Sequence, residues 1–117
     1  MSMEIMIKDK DVFILSGGMF DTICHEFSEI IKNQKLDDDV EIAEFIRAMN
    51  FYNETRCPYF DIADFLNTSK GVNMLLDILE QAIKKLQTVF SISAITDLWN
   101  FYKELMIYGD ELAAQGK

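Results

Sequence analysis

The only histidine, His25, is the residue of this sequence best suited to acid–base chemistry, and Cys24 stands beside it. Neighbouring residues on a helix do not face each other, so a thiolate and base pair would require a distorted helix. His25 and Glu29 have the i, i+4 spacing of two metal ligands, but a catalytic metal usually takes a third protein ligand. We therefore interpret His25 as a residue on a solvated helix face. We predict no catalytic residue, no metal and no cofactor.

The segment Ser16-Gly17-Gly18 is a weak candidate for a phosphate site, because glycine loops and helix N-termini bind anions. The sequence has neither the P-loop spacing with Lys-Ser/Thr nor a GxGxxG motif. Asp21 would also add negative charge near a bound phosphate. We expect a simple turn from a strand into a helix at this position.

Acidic residues are concentrated between residues 36 and 66. This stretch holds eight acidic and two basic residues, so it contributes six of the nine net negative charges. Such a patch attracts cationic partners and repels nucleic-acid phosphates. Pairs such as Asp61 and Asp64 could hold Mg²⁺ or Ca²⁺, but no EF-hand pattern surrounds them. The acidic residues between 36 and 66 serve either helix capping and solubility or the binding of a protein partner.

Large aromatic residues flank the acidic stretch. In many interfaces, buried aromatic anchors supply most of the affinity, whereas the surrounding charges steer the partner during association. We therefore predict a partner-binding surface made of Asp37, Glu41, Glu44, Phe51, Tyr59, Asp61 and Asp64. The sequence leaves open whether Tyr52, Phe60 and Phe65 are exposed beside this surface or packed under the 55–65 connection.

The composition favours one helical domain. Half of the 117 residues are hydrophobic and only one is a proline, so the chain can build one core but has few turn residues for many strands. We predict a single domain, 1–117, that is mainly α: a compact bundle of four to five helices with a short N-terminal β-hairpin or extended segment. Apolar runs at 5–7 and 12–15 predict the hairpin.

Two helices are predicted before Pro58. The first spans about 20–33, with Asp21 or Thr22 near its cap, and its stripe is Phe20, Ile23, Cys24, Phe27, Ile30 and Ile31. The second begins in Asp37-Asp38-Asp39, where carboxylates meet the positive end of the helix dipole. A short helix at about 61–66 follows the proline.

Two longer helices are predicted in the second half of the chain. Residues 67–69 supply a cap for the central helix, at about 70–90, which has the widest apolar coverage. Ser91 and Ser93 begin the last helix. Its predicted core stripe is Ile95, Leu98, Trp99, Tyr102, Leu105, Met106, Gly109 and Leu112.

The cysteines and the N-terminus indicate a cytoplasmic location. We interpret Cys24 and Cys57 as a small buried hydrophobe and a loop thiol in a reducing compartment. Charged residues interrupt the N-terminal segment, which does not resemble a secretory signal, and no apolar run is long enough to span a bilayer. We expect a protein that binds neither membrane nor nucleic acid.

These features favour a binding protein over an enzyme. The first hypothesis is a small acidic inhibitor, such as an immunity protein or antitoxin that covers the basic active-site face of a toxin nuclease. The second is an adaptor whose apolar groove receives a partner helix, with seven methionines as adaptable contacts. The third is a small metal-dependent enzyme that uses His25 and carboxylates. A basic partner, an apolar peptide and a bound metal would distinguish the three.

Overall fold

Four helices and a small sheet make up the fold. The computed structural model describes residues 2–117, except for the side chains of Ser2 and Asp37. The helices are α1 (Gly17–Asn33), α2 (Val40–Glu54), α3 (Ser69–Leu86) and α4 (Ile92–Ala114). None of the described helices combines the length and apolar character needed to cross a membrane.

The sheet contains three strands in the order β2-β1-β3, namely β1 (Ser2–Ile7), β2 (Lys10–Ser16) and β3 (Tyr59–Asp61). β1 and β2 form the predicted antiparallel hairpin, with a register shift between Ile5 and Met6. β3 runs parallel to β1. The predicted short helix at 61–66 is confirmed only as a single 3-10 turn, Ile62–Asp64, which follows the end of β3.

Side-chain caps fix where the helices begin. The Ser16 hydroxyl accepts the N–H of Met19 at 3.2 Å, so α1 starts three residues before its predicted position, and the expected cap at Asp21 or Thr22 is wrong. Asp39 accepts the N–H of Ile42 at 3.1 Å, which confirms the predicted start of α2. The predicted caps of the last two helices are confirmed at Thr68 and Ser91.

The core lies between the helices and one face of the sheet. All six residues of the predicted α1 stripe are buried, as is most of the inner face of α3, from Val72 to Leu86. The sheet contributes five buried side chains to this core, namely Met3, Ile5, Phe13, Leu15 and Phe60. α3 therefore is central, although it ends at Leu86 and not near residue 90.

The last helix is rotated relative to its predicted stripe. Leu98, Leu105, Gly109 and Leu112 are buried as predicted, but Met106 is 44 % exposed. Phe101 and Tyr108 are buried in addition. Phe101 stacks on Phe13 of β2, with ring centroids 5.9 Å apart, so packing against the sheet turns this face of α4 inward.

We predict that Leu79→Ala lowers the free energy of unfolding by about 2 to 5 kcal/mol, because Leu79 is fully buried in α3 and its truncation leaves a cavity. Urea unfolding measures this change. The matched control is Val89→Ala, an exposed position whose truncation should change stability by less than about 0.5 kcal/mol. An unchanged midpoint for Leu79→Ala would show that α3 is not central.

Candidate partner-binding surface

The outer face of the sheet presents Tyr59 to solvent. In the sheet register Glu4 of β1 pairs with Ile14 on β2 and with Tyr59 on β3. Side chains paired across strands point to the same face, and the alternate residues of these strands enter the core. Tyr59 is 56 % exposed as a result. The prediction that this residue is exposed is confirmed.

A cluster of aromatic rings joins helix α2 to Phe60, the residue after Tyr59 in β3. The Tyr52 ring meets Phe51, Phe60 and Phe65 edge-on at centroid distances of 6.2, 5.0 and 5.9 Å. Phe60 is buried and stacks on Phe65, so packing under the connection accounts for these two residues and for the half-buried Tyr52. Phe51 remains 59 % exposed, as predicted.

Two exposed carboxylates belong to the elements that carry the exposed rings or follow them in the chain. Asp64 ends the 3-10 turn directly after β3. Burial raises the pKa of the Tyr52 hydroxyl, and the charges of Cys57, Asp64 and Tyr59 raise it further. Glu44 is exposed two turns before Phe51, on the same face of α2. We name the set Glu44, Phe51, Tyr59 and Asp64 the acidic–aromatic surface. Within the described residues, neither carboxylate of this surface forms an ion pair.

Glu41 has a structural task within the chain. Its carboxylate accepts the N–H groups of Asn67 and Thr68 at 3.0 and 3.3 Å and the Thr68 hydroxyl at 2.5 Å. The same hydroxyl accepts the N–H of Gly71 at 3.0 Å. Glu41 therefore supports the start of α3, where a negative charge also complements the helix dipole. Its predicted contact with a partner stays a prediction.

Asp61 also faces inward. It is only 9 % exposed and accepts the N–H groups of Lys8, Asp9 and Ala63 at 3.1, 2.8 and 2.9 Å. Lys8 and Asp9 form the two-residue turn of the hairpin with φ angles of 52° and 65°. Such a turn usually contains Asn-Gly or Asp-Gly, since a left-handed conformation costs other residues about 1 to 2 kcal/mol. The Asp61 carboxylate stabilises the turn in place of a glycine.

The seven predicted site residues thus separate into three groups. Glu44, Phe51, Tyr59 and Asp64 are exposed on α2, on β3 and in the turn after it, whereas Glu41 and Asp61 accept backbone N–H groups inside the chain. The side chain of Asp37 lies outside the described residues. The bond from the Ala63 N–H to Asp61 is local, but the other donors lie 26 to 27 residues from Glu41 and 52 to 53 residues from Asp61, so local patterns do not reveal them.

Cys24 and His25 lie where the sequence predicted, the first buried and the second on an exposed helix face. Cys24 is buried in α1, where burial and then the charge of Asp21 raise the pKa of its thiol to about 12, while His25 is exposed. The two side chains therefore do not form a nucleophile and base pair. Across residues 2–117, apart from the undescribed side chains, no group of three or more His, Cys, Asp and Glu could hold a metal ion.

We predict that Gly71→Ala lowers the free energy of unfolding by roughly 1 to 2 kcal/mol, because a Cβ at this position would lie 2.5 Å from the carboxyl carbon of Glu41. Glu41 would have to move and would lose its N–H donors. The matched control is Gly18→Ala in α1, where a Cβ meets nothing within 4 Å. Alanine there should be neutral or stabilising by up to about 1 kcal/mol.

Thermal and urea unfolding of the two alanine variants test this role of Glu41. Equal stability changes in Gly71→Ala and Gly18→Ala would contradict it.

The chain was compared with protein-family models, with curated proteins and with solved structures, and none of them matches it. A proposal for its function therefore depends on its own geometry and charge. The exposed aromatic rings of Phe51 and Tyr59, in a stretch of the chain rich in carboxylates, are the feature that such a proposal must explain.

Proposed function

We propose that this protein is a small acidic binding protein that covers a basic surface of a partner protein, as an immunity protein or antitoxin covers the active-site face of a toxin nuclease. The observation that carries the proposal is the acidic–aromatic surface. Phe51 and Tyr59 are more than half exposed on α2 and β3, and the exposed carboxylates Glu44 and Asp64 lie on the same helix and in the turn after β3. The net charge of −9 adds a long-range attraction for a basic partner.

The aromatic rings would supply most of the affinity. Covering the exposed part of each ring should contribute about 1 to 2 kcal/mol from apolar burial alone. The Phe51 ring already contacts the Tyr52 ring, and the pairing of β3 with β1 fixes the backbone of Tyr59. Binding would therefore cost little backbone entropy at either position.

The carboxylates would act mainly on encounter with the partner. Solvent-exposed charges such as Glu44 and Asp64 accelerate association and lose this effect as salt screens them over about 8 Å. Nuclease active sites attract phosphates with lysine and arginine. An acidic protein can occupy such a site without chemistry, and the same charge opposes binding to nucleic acid itself.

The first test is co-expression with the product of the neighbouring reading frame, because inhibitors and toxins are commonly encoded together. We expect that product to be basic, to arrest growth when expressed alone and to be neutralised by this protein. Affinity capture from the native host at low salt provides the partner if the neighbour is unrelated. An acidic partner would contradict the proposal. So would a neighbouring product that forms a complex with this protein and remains toxic in that complex.

We predict that the two parts of the surface affect different rate constants. Tyr59→Ala and Phe51→Ala should each speed dissociation of the purified complex by about tenfold, which corresponds to about 1.4 kcal/mol. The double variant Glu44→Lys, Asp64→Lys should slow association and flatten its dependence on salt. Surface plasmon resonance across a salt series measures both rates.

Val89→Ala is the matched control for the aromatic variants, because it removes an exposed apolar side chain outside this surface. It should leave both rate constants unchanged. Circular dichroism and urea unfolding verify that every variant is folded. If the charge reversals leave the association rate and its salt dependence unchanged, the carboxylates only solvate the helix face.

A further inference from the structure

The free edge of β2 is a second surface. It is the edge of the sheet opposite β3, the strand that carries Tyr59. β2 has seven residues, Lys10–Ser16, and pairs only with β1 in the described sheet. On the far side of the register shift, Phe13 to Ser16 pair regularly with Ile5 to Ser2 of β1. A regular edge strand presents unpaired N–H and C=O groups that can pair with another chain. No proline interrupts these positions.

A groove runs along this edge, with α4 as its other wall. One part is lined by Asp11, Val12 and Asn100, and the adjoining part by residues that include Ser16, Met19 and Ala94. Ile14 and Asp97 line both parts, so the groove is continuous. Ile14 is 59 % exposed on the outer face of the sheet, whereas Asp97 belongs to α4. The groove therefore has an exposed apolar side chain on its sheet wall and carboxylates on both walls, Asp11 on β2 and Asp97 on α4.

The charges along the groove favour a basic occupant. Lys10 is paired with Glu104 at 3.3 Å, but Asp11 and Asp97 form no ion pair with any residue from 2 to 117 whose side chain is described. Pairing between two copies of β2 would bring together two chains of net charge −9 and a pair of acidic grooves. Charge thus opposes a second copy and favours lysine or arginine.

We propose that the β2 edge binds an extended, basic segment of a partner protein as a fourth strand. Alternate side chains of an added strand point to opposite faces. One set would pack beside Ile14 on the outer face, so apolar residues fit there, and the other would face α4 near Asp97, where lysine or arginine fits. The surface is distinct from the acidic–aromatic surface, and this proposal stands independently of the proposed function.

The probe is an acetylated and amidated peptide of four Lys-Val repeats, titrated into the isotope-labelled protein and followed by NMR. We expect the largest amide shifts in β2 and the first turns of α4. A Glu-Val peptide tests the role of charge. A fully N-methylated Lys-Val peptide keeps the charges but cannot donate backbone hydrogen bonds, so it should bind at least tenfold more weakly.

Variants locate the binding site further. Asp97→Lys and Ile14→Ser should each weaken binding of the Lys-Val peptide at least fivefold. Val40→Ser, a matched loss of an exposed β-branched residue on α2, should leave it unchanged. Chemical denaturation confirms that the variants fold.

Several results would overturn the strand-addition proposal. These are shifts concentrated outside β2 and α4, equal binding of the N-methylated or Glu-Val peptide, or no shift at about 1 mM peptide. A dimer seen by sedimentation and abolished by Ile14→Ser would identify a second copy as the occupant and would also contradict it. None of these readouts depends on the partner of the acidic–aromatic surface.

Discussion

One buried carboxylate, that of Asp61, connects the N-terminal hairpin to the middle of the chain. It accepts the N–H groups of Lys8 and Asp9, whose left-handed conformations would otherwise be an uncompensated cost in a turn without glycine. Asp61 is also the last residue of β3, the strand that carries Tyr59. The same group therefore closes the hairpin and fixes the third strand beside it. Tyr59 is carried on this frame.

The carboxylates of the acidic stretch fall into two groups: some accept backbone N–H groups within the fold, and others are exposed to solvent. Glu41 and Asp61 accept backbone N–H groups at the start of α3 and in the hairpin turn, where no backbone carbonyl meets those donors. Glu44 and Asp64 face solvent and form no described ion pair. A local excess of negative charge is thus compatible with a stable fold, because part of it is neutralised by N–H dipoles and part is hydrated. Only the hydrated part is available to steer a partner.

Local patterns predicted most of the fold but little of the long-range pairing. Apolar periodicity identified four helices and the hairpin, since it reflects contacts within each element. β3 was missed because three residues carry no periodic signal and its partner strand lies more than fifty residues earlier. The rotation of α4 depends on the stacking of Phe101 on Phe13, which is equally remote. At the candidate site the exposure of Phe51 and Tyr59 was predictable, whereas the inward roles of Glu41 and Asp61 were not.

Amide hydrogen exchange in Asp61→Ala tests most directly whether this carboxylate organises the sheet. The amides of Lys8 and Asp9 should be protected in the native protein and should lose protection in Asp61→Ala, together with about 2 kcal/mol of folding stability. Asp64→Ala, which removes a nearby exposed carboxylate, is the matched control and should retain both. If the two turn amides exchange at the same rate in the native protein and in Asp61→Ala, other interactions hold the hairpin turn and Asp61 does not organise the sheet.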